Sequence, residues 1–418
     1  MLFLRIEENK KWYKIVDFTI YTAAVICSTL VVFYLIYNQA THTGDMYLSD
    51  IHPYIDEMLG TQDEYSFPYP VMFKFAWLIY MICGKPELSM AIAVTMLNTL
   101  AIIVTRKVVA KQTNTNILAT VSTLMLFFSS MLFSHAFFRF GIKNFYLGVY
   151  SPNPWHNQTL MAARPFMILA FVYGVKTLCS YEEDFKEGLF SVYAKRNIKD
   201  YFIFGLFMLL VTMTKPAYTL PHGVAFAAVM LYRLLSTRFR NIKQTIFMGL
   251  FYIPTIVALL YQYSGVFTGT SVQGDENGIG IAFARVWSQY NGNIPLGIVL
   301  AAAFPIVVLL LNFRVLKEST QYRMAWFVYL VGLLMALVFY EKGFREIHFN
   351  FQWGYMCGLF IVFLVSVIEL IKQFMTILQR KADRLLKIKV SIEVVVLVLH
   401  VLCGLNYFVR MCWGISYC

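Results

Sequence analysis

Four carboxylates crowd the stretch THTGDMYLSDIHPYIDEMLG at residues 41–60, where Asp45, Asp50, Asp56 and Glu57 follow directly on the first long apolar run. His52 stands among them and the turn YSFPYP, 65–70, returns the chain to apolar sequence. Acids, an imidazole and a returning turn have the make-up of an active-site loop; a solvated acidic loop is the plain alternative. A second cluster, YEKGFREIHFNFQWGY at 340–355, packs Glu341, Lys342, Arg345, Glu346, His348, Asn350 and Trp353 together. Lys342 and Arg345 beside an acidic pair suit a phosphate on one side and a hydroxylated acceptor on the other, whereas ion pairs among them would be merely structural.

Two further polar stretches interrupt apolar runs. FRFGIKNFYLGVYSPNPWHNQTLMAARP, 138–165, carries Arg139, Lys143, Trp155, His156, Asn157 and Arg164. Asn157-Gln158-Thr159 matches a glycosylation sequon, but Asn157 and Thr159 read better as the cap of a helix entering the membrane. Arg164 lies one turn further in, where a guanidinium needs an anionic partner or must snorkel to the headgroups. TKPAYTLPHG, 214–223, sets Lys215, two prolines and His222 between apolar runs, as a broken helix facing a cavity or a tight external hairpin.

The elements that must position these groups are helices in a bilayer. Of 418 residues 59% are hydrophobic and 14% charged, with mean hydropathy +0.62, beyond what a water-soluble domain of this size tolerates. The apolar runs are continuous, not alternating, so the fold class is an all-α polytopic membrane protein and not a β-barrel. Runs on the order of 20 residues, the length of a span, fall at 17–37, 88–105, 115–136, 160–180, 201–214, 217–235, 245–263, 294–312, 324–340, 350–371 and 390–410. A shorter one at 67–83 brings the expectation to eleven or twelve.

The chain reads as a single integral-membrane domain, 1–418. Basic stretches at 106–111, 186–199, 236–244, 313–323 and 379–389 mark the cytoplasmic side, as does the N-terminal ENKKWYK, with 17–37 as an uncleaved signal anchor. The external pieces are then 38–66, 137–159, 264–293 and 341–349. Parity requires an odd number of crossings between 38–66 and RKVVAK at 106–111, so 67–83 is expected to be partial or re-entrant. In the first external loop Ile51, Tyr54, Ile55, Met58 and Leu59 share one face at helical spacing, which predicts a short interfacial helix with its carboxylates turned from the lipid.

Several classes are disfavoured. The net charge of +12 is spread over those basic loops, which the positive-inside bias explains without nucleic acid. The seven cysteines show no CxxC pair or metal-ligand spacing. No soluble domain and no internal repeat is visible, which counts against most secondary-transporter folds.

A first span, an external loop with SDIHPYI and YSFPYP, and then many spans resembles the GT-C superfamily of integral-membrane glycosyltransferases, with NPWHNQT, TKPAYTLP and EKGFREIHFNFQWG looking like motifs of its uncharacterised bacterial members. The resemblance implies a polyprenyl-phosphate sugar, or a polyprenyl-diphosphate relative, as donor. It implies transfer with inversion on the extracytoplasmic face of the plasma membrane to a glycan, lipid or protein, as in cell-envelope polysaccharide biosynthesis. On that footing Asp50 is the expected general base and Asp45 the runner-up, and the two would hold a divalent cation, Mg or Mn, if one is used. Lys215 and Arg345, with Arg164 third, are expected at the phosphate; His52, His156, Asn157 and Asn350 are expected to contact substrate. A transporter or flippase of lipid-linked saccharides is the alternative, since broken helices and intramembrane cations suit it equally. An acyltransferase would want a histidine inside the bundle, and His135 and His400, deep in apolar runs, read as packing residues.

Overall fold

The computed structural model describes residues 11–62, 67–188, 192–267, 278–379 and 383–416. Residues 63–66, which include the start of YSFPYP, and 268–277 of the third external piece lie outside the described residues. In chain order the helices are α1 (Lys11–Thr41), α2 (Ile51–Leu59), α3 (Val71–Cys83), α4 (Pro86–Thr113), α5 (Ile117–Phe127), α6 (Phe145–Gly148), α7 (Gln158–Glu187), α8 (Val192–Thr214) and α9 (Thr219–Ser236). There follow α10 (Ile242–Leu250), α11 (Ile253–Phe267), α12 (Trp287–Tyr290), α13 (Ile294–Leu311), α14 (Val315–Glu318), α15 (Thr320–Val338), α16 (Asn350–Leu378) and α17 (Arg384–Cys412). One two-stranded antiparallel sheet pairs β1 (Ile279–Ile281) with β2 (Phe339–Glu341).

The protein is an all-α polytopic membrane protein. Among the described residues eight helices are long and apolar enough to cross a bilayer (α1, α4, α7, α8, α13, α15, α16 and α17), and the pair α10–α11, bent by 54°, makes a ninth. The expected eleven to twelve also counted 67–83, 115–136 and 217–235. The first is α3, of 13 residues, and the second contains α5, of 11; the third is α9, of 18 residues, which is not among the eight yet runs from the turn of Lys215 at one end of the bundle to Arg233, paired with Glu182, at the other.

The parity conflict resolves in α1 and α4. Asp17 meets Arg106 at 3.0 Å and Thr29 meets Thr99 at 2.9 Å, so the two helices run antiparallel. The chain therefore enters α4 from the side on which it left α1, and α2 and α3 together make no net crossing.

Within 115–136 the helix stops at Phe127 and the chain runs on extended to Ser134. Unwound backbone at membrane depth must be satisfied by protein, and here it is. The amide of Ser130 donates to the His400 carbonyl (3.0 Å) and that of Leu132 to the Leu300 carbonyl (2.9 Å). The Asn153 amide caps Leu126 and Ser129 carbonyls at 2.9 and 2.8 Å. His400, expected as a packing residue, donates from Nδ1 to the Ser130 carbonyl (2.6 Å) and accepts the Phe304 amide at Nε2 (3.2 Å). His135, read as packed, is instead exposed in the 3₁₀ turn His135–Phe140, because the helix has already ended.

α16 is apolar all round and buried on nearly every side, as such a helix must be when it is a core. Gly354 and Gly358 on it and Gly332 on α15 allow close backbone approach: a Cβ at Gly358 would stand 2.8 Å from the Tyr329 Cα. A smaller core joins α2 and α3 to α1, α4 and α17. There Ile51, Tyr54, Ile55 and Met58 are buried as a stripe, while Leu59 is 38% exposed. The apolar face of α2 thus packs on protein rather than on lipid, Asp56 faces outward, and Asp50 at its N-terminus turns into the bundle.

Candidate functional site

The C-terminal ends of α1, α8 and α17 meet the N-terminal ends of α7 and α16 at one end of the bundle. Pro152 and Pro154 keep 151–157 out of a helix, and Asn157 starts α7 by accepting the Leu160 amide at Oδ1 (3.0 Å). Its Nδ2 is then free to donate outward, to Asp50 Oδ2 at 2.6 Å and the Tyr54 hydroxyl at 3.2 Å. Asp50 makes no side-chain cap to its own helix; its backbone amide donates to the His156 carbonyl at 3.0 Å.

Lys215 sits in the four-residue turn between α8 and α9, held there because Pro216 cannot continue the helix. The turn is tight, yet its lysine faces inward. Nζ donates to Asn157 Oδ1 at 3.2 Å and Thr159 Oγ1 at 2.9 Å and lies 5.0 Å from the Trp353 ring. Asp50 and Lys215 are thus joined through one amide, each on its own side of Asn157.

Electrostatics follow from burial. Removal from water pushes the Asp50 carboxyl up, with Lys215 and the Asn157 bond pulling it back. Burial draws the Lys215 ammonium down to about 8 against the pull of Asp50. Burial and then Lys215 bring His156 down to about 3, so its ring is neutral; Nδ1 lies 3.2 Å from the Tyr407 hydroxyl.

These groups line a cavity of about 360 Å³ with Asp50, His156, Asn157, Lys215, Arg345, Asn350 and Trp353 on its walls. Beside it runs a second space of about 450 Å³, walled by Leu220, Val224, Leu259, Val266, Met335 and Phe351. The two share Tyr69, Lys215, Arg345, Asn350 and Trp353. At that partition Arg345 donates from Nε to Glu341 Oε2 (2.8 Å), which also accepts from Asn350 Nδ2 (2.8 Å); Arg345 Nη1 is buried with no hydrogen-bond partner.

Of the residues singled out in the sequence, the structure brings together Asp50, His156, Asn157, Lys215, Arg345 and Asn350. It does not bring three others. Asp45 is exposed on the loop ahead of α2, and His52 lies on the outer side of α2 with Nε2 2.7 Å from the His42 carbonyl. Arg164 is 2% exposed, so it neither snorkels nor reaches the cavity. Its Nη2 donates to the Pro152 carbonyl (3.2 Å) between the Phe127 and Phe360 rings, bracing the 151–157 loop from beneath. Lys342 is exposed and Glu346 is taken by Arg285 at 2.9 Å, so the phosphate pairing of Lys342 with Arg345 does not form.

Tyr54, Thr159, Trp353 and Glu341 complete the site. Each carried a signal of another kind: Thr159 as a cap, Glu341 as a charge beside Arg345, Trp353 as a member of the 340–355 cluster and Tyr54 as part of the apolar face of α2.

Among the described residues Asp50 is the one carboxylate on the cavity wall, Asp45 does not join it, and the ammonium of Lys215 stands on the far side of its amide partner, a poor donor set for Mg or Mn. Among the described residues no group of three His, Cys, Asp or Glu side chains could hold a metal ion.

No family model matches the sequence. No curated protein matches it. Among solved structures, the apo oligosaccharyltransferase of Archaeoglobus fulgidus aligns over 98% of this chain and 57% of its own, with 10% identity and a TM-score of 0.48. The chain therefore spans little more than half the length of that protein.

Proposed function

We propose that this protein is an integral-membrane glycosyltransferase that moves a sugar from a polyprenyl-phosphate carrier to an acceptor hydroxyl. One observation carries the reading: a polar cavity with the desolvated carboxylate of Asp50 on its wall shares a cationic partition with an apolar groove. An amphiphile with a long hydrocarbon tail, a phosphate and a polar head fits that sequence of surfaces. The tail lies along Leu220, Val224 and Leu259, the phosphate at Lys215 and Arg345, and the sugar before Asp50.

The step is a displacement at the anomeric carbon. Asp50 takes the proton of the acceptor hydroxyl as its oxygen bonds to that carbon. The bond from carbon to phosphate oxygen breaks, its electron pair leaves with the phosphate, and Lys215 and Arg345 receive the charge. Attack opposite the phosphate inverts the centre. No acid is needed, because phosphate leaves as an anion.

The cavity lies at the end of the bundle away from the basic stretches at 106–111 and 236–244, which supports an extracytoplasmic site in the plasma membrane with the N-terminus inside. The acceptor is then a glycan, lipid or protein of the cell envelope.

The test is incubation of the purified, lipid-reconstituted protein with radiolabelled polyprenyl-linked sugars. Transfer, or slow hydrolysis, that is lost in Asp50→Asn while binding persists supports the reading. Binding with no turnover in the native protein would replace it with transport of the same lipids.

A further inference from the structure

The helix α17 carries polar groups on its packed face. Its buried positions include 390, 393, 397, 400, 404, 407 and 411, alternating steps of three and four that lay one narrow seam against the bundle. Glu393, His400 and Tyr407 stand seven residues apart on that seam, and each meets a different element. Glu393 accepts from the side-chain amides of Asn312 and Gln373 at 2.5 and 3.0 Å, and His400 closes the unwound stretch after α5. Those two hold the helix in register; the third reaches the site. The Tyr407 hydroxyl lies 3.2 Å from His156 Nδ1, its ring stacks on Tyr146 at 4.3 Å, and the His156 carbonyl accepts the Asp50 amide.

We propose that Tyr407 is a positioning residue: its hydroxyl donates to His156 Nδ1 and fixes the imidazole with its proton on Nε2, so that His156 meets a sugar oxygen as a hydrogen-bond donor and not as a second base. The sugar contact rests on the glycosyltransferase reading; the tautomer does not. A buried phenol needs a partner, and two arrangements would give it one. In O–H···N the stronger acid, the phenol, meets the stronger base, the imidazole nitrogen; in N–H···O a weaker acid meets a weaker base. O–H···N is therefore the favoured form, and it places the ring proton on the other nitrogen. His156 lines the cavity and Tyr407 does not, so the Nδ1 edge faces α17 and the opposite edge, with Nε2, faces the ligand.

One cavity can then hold a carboxylate and an imidazole without rivalry between them. With Nε2 already protonated, His156 has no lone pair there to take the acceptor's proton. Protonating Nδ1 instead would break the Tyr407 bond and set an imidazolium against Lys215. Asp50 is left to move the proton, and the imidazole holds the sugar beside it. A phenylalanine at 407 would fill the same space and keep the stack on Tyr146, yet release the ring to carry its proton on either nitrogen.

The experiment reads the tautomer directly, by solid-state NMR of the full-length protein in lipid bilayers with its histidine ring nitrogens isotopically labelled. His156 is recognised by its contact with the Trp353 ring at 5.7 Å. The expected native pattern is a bare Nδ1 and a protonated Nε2, and in Tyr407→Phe the ring should show both tautomers. Transfer from a radiolabelled polyprenyl-linked sugar should fall about three- to tenfold in Tyr407→Phe. That loss should vanish in a His156→Gln background, because the glutamine amide supplies its donor without Tyr407. A protonated Nδ1 in the native protein, or the same loss from Tyr407→Phe with and without His156, overturns the inference and leaves the glycosyltransferase standing. The expected tautomer in a native protein that transfers no polyprenyl-linked sugar overturns the glycosyltransferase reading, and the sugar contact with it. The native spectrum needs no variant to fold.

Discussion

The two ends of the bundle use the same charged residues to opposite effect. Away from the site, cations meet carboxylates directly. Arg106 donates to both oxygens of Asp17 at 3.1 and 3.0 Å, Lys176 meets Asp200 at 2.8 Å, and Arg233 meets Glu182 at 2.6 Å while also capping the Leu178 carbonyl. At the site end Asp50 and Lys215 are kept apart by an amide, and Arg345 is paired along one edge only. The difference teaches where a ligand belongs. Electrostatics completed within the chain hold helices together; electrostatics left incomplete in a desolvated wall wait for another molecule.

Breaking the incomplete end should cost function, and breaking the complete end stability. The largest effect is expected for Asp50→Asn, which removes the base in a near-isosteric side chain: transfer should fall by about 10²–10⁴-fold with donor binding retained, read by turnover against equilibrium binding. Next, Lys215→Met removes a charge-assisted contact of about 1.5–3 kcal/mol; donor affinity should drop by about ten- to a hundredfold, read by lipid titration.

A pH titration reaches the same lysine without mutation. Its ammonium donates only when protonated, so donor affinity should be full below about 8 and fall as pH rises through that value. The groups facing it are Asp50, Asn157, Thr159, Trp353, His156, Arg345 and Cys357. His156 is neutral throughout this range. An affinity flat to pH 10 would remove Lys215 from the phosphate.

At the opposite end, Arg106→Met leaves Asp17 without its partner in a largely buried pair and should cost about 1–3 kcal/mol of stability, seen as a lower unfolding midpoint with turnover per folded molecule unchanged. The smallest effect belongs to Lys176→Met. That lysine is 54% exposed, and such pairs contribute about 0–1 kcal/mol.

Much of this site was legible because polar residues between apolar runs are costly and therefore informative. Asp50, Lys215 and Arg345 stand out in that way, and Asn157 carries its own local logic as a helix cap. Spacing along a loop misleads where a helix intervenes. Asp45 and His52 flank Asp50 closely in sequence, yet α2 starts there and rotates His52 to its outer side. Arg164 has the right charge at the right depth but faces the 151–157 loop, a matter of rotation about α7 that no linear pattern reports. Tyr54 reads in the sequence as part of an apolar helix face and Trp353 as one of a polar cluster, but neither pattern reports that the Tyr54 hydroxyl bonds Asn157 or that the Trp353 ring stands 5.0 Å from Lys215. In the fold, apolar length identified the eight long helices and the bent pair found among the described residues and over-counted 115–136, because a run of apolar residues does not say whether its backbone is wound or is bonded to other helices. The GxxxG of Gly354 and Gly358 is legible in the sequence and lets α16 approach α15 closely.

The unwound stretch from Phe128 to Ser134 also sets an order of events. Its amides and carbonyls are met by Leu300 on α13 and by His400 on α17, with Gly404 leaving no room for a Cβ against the Phe128 carbonyl. A backbone group left unmet in lipid costs several kcal/mol, and these partners are synthesised long after residue 134. The N-terminal half can therefore be inserted early but not finished early. Its folding is closed by α17, a clasp that meets the unwound stretch across 270 residues of sequence.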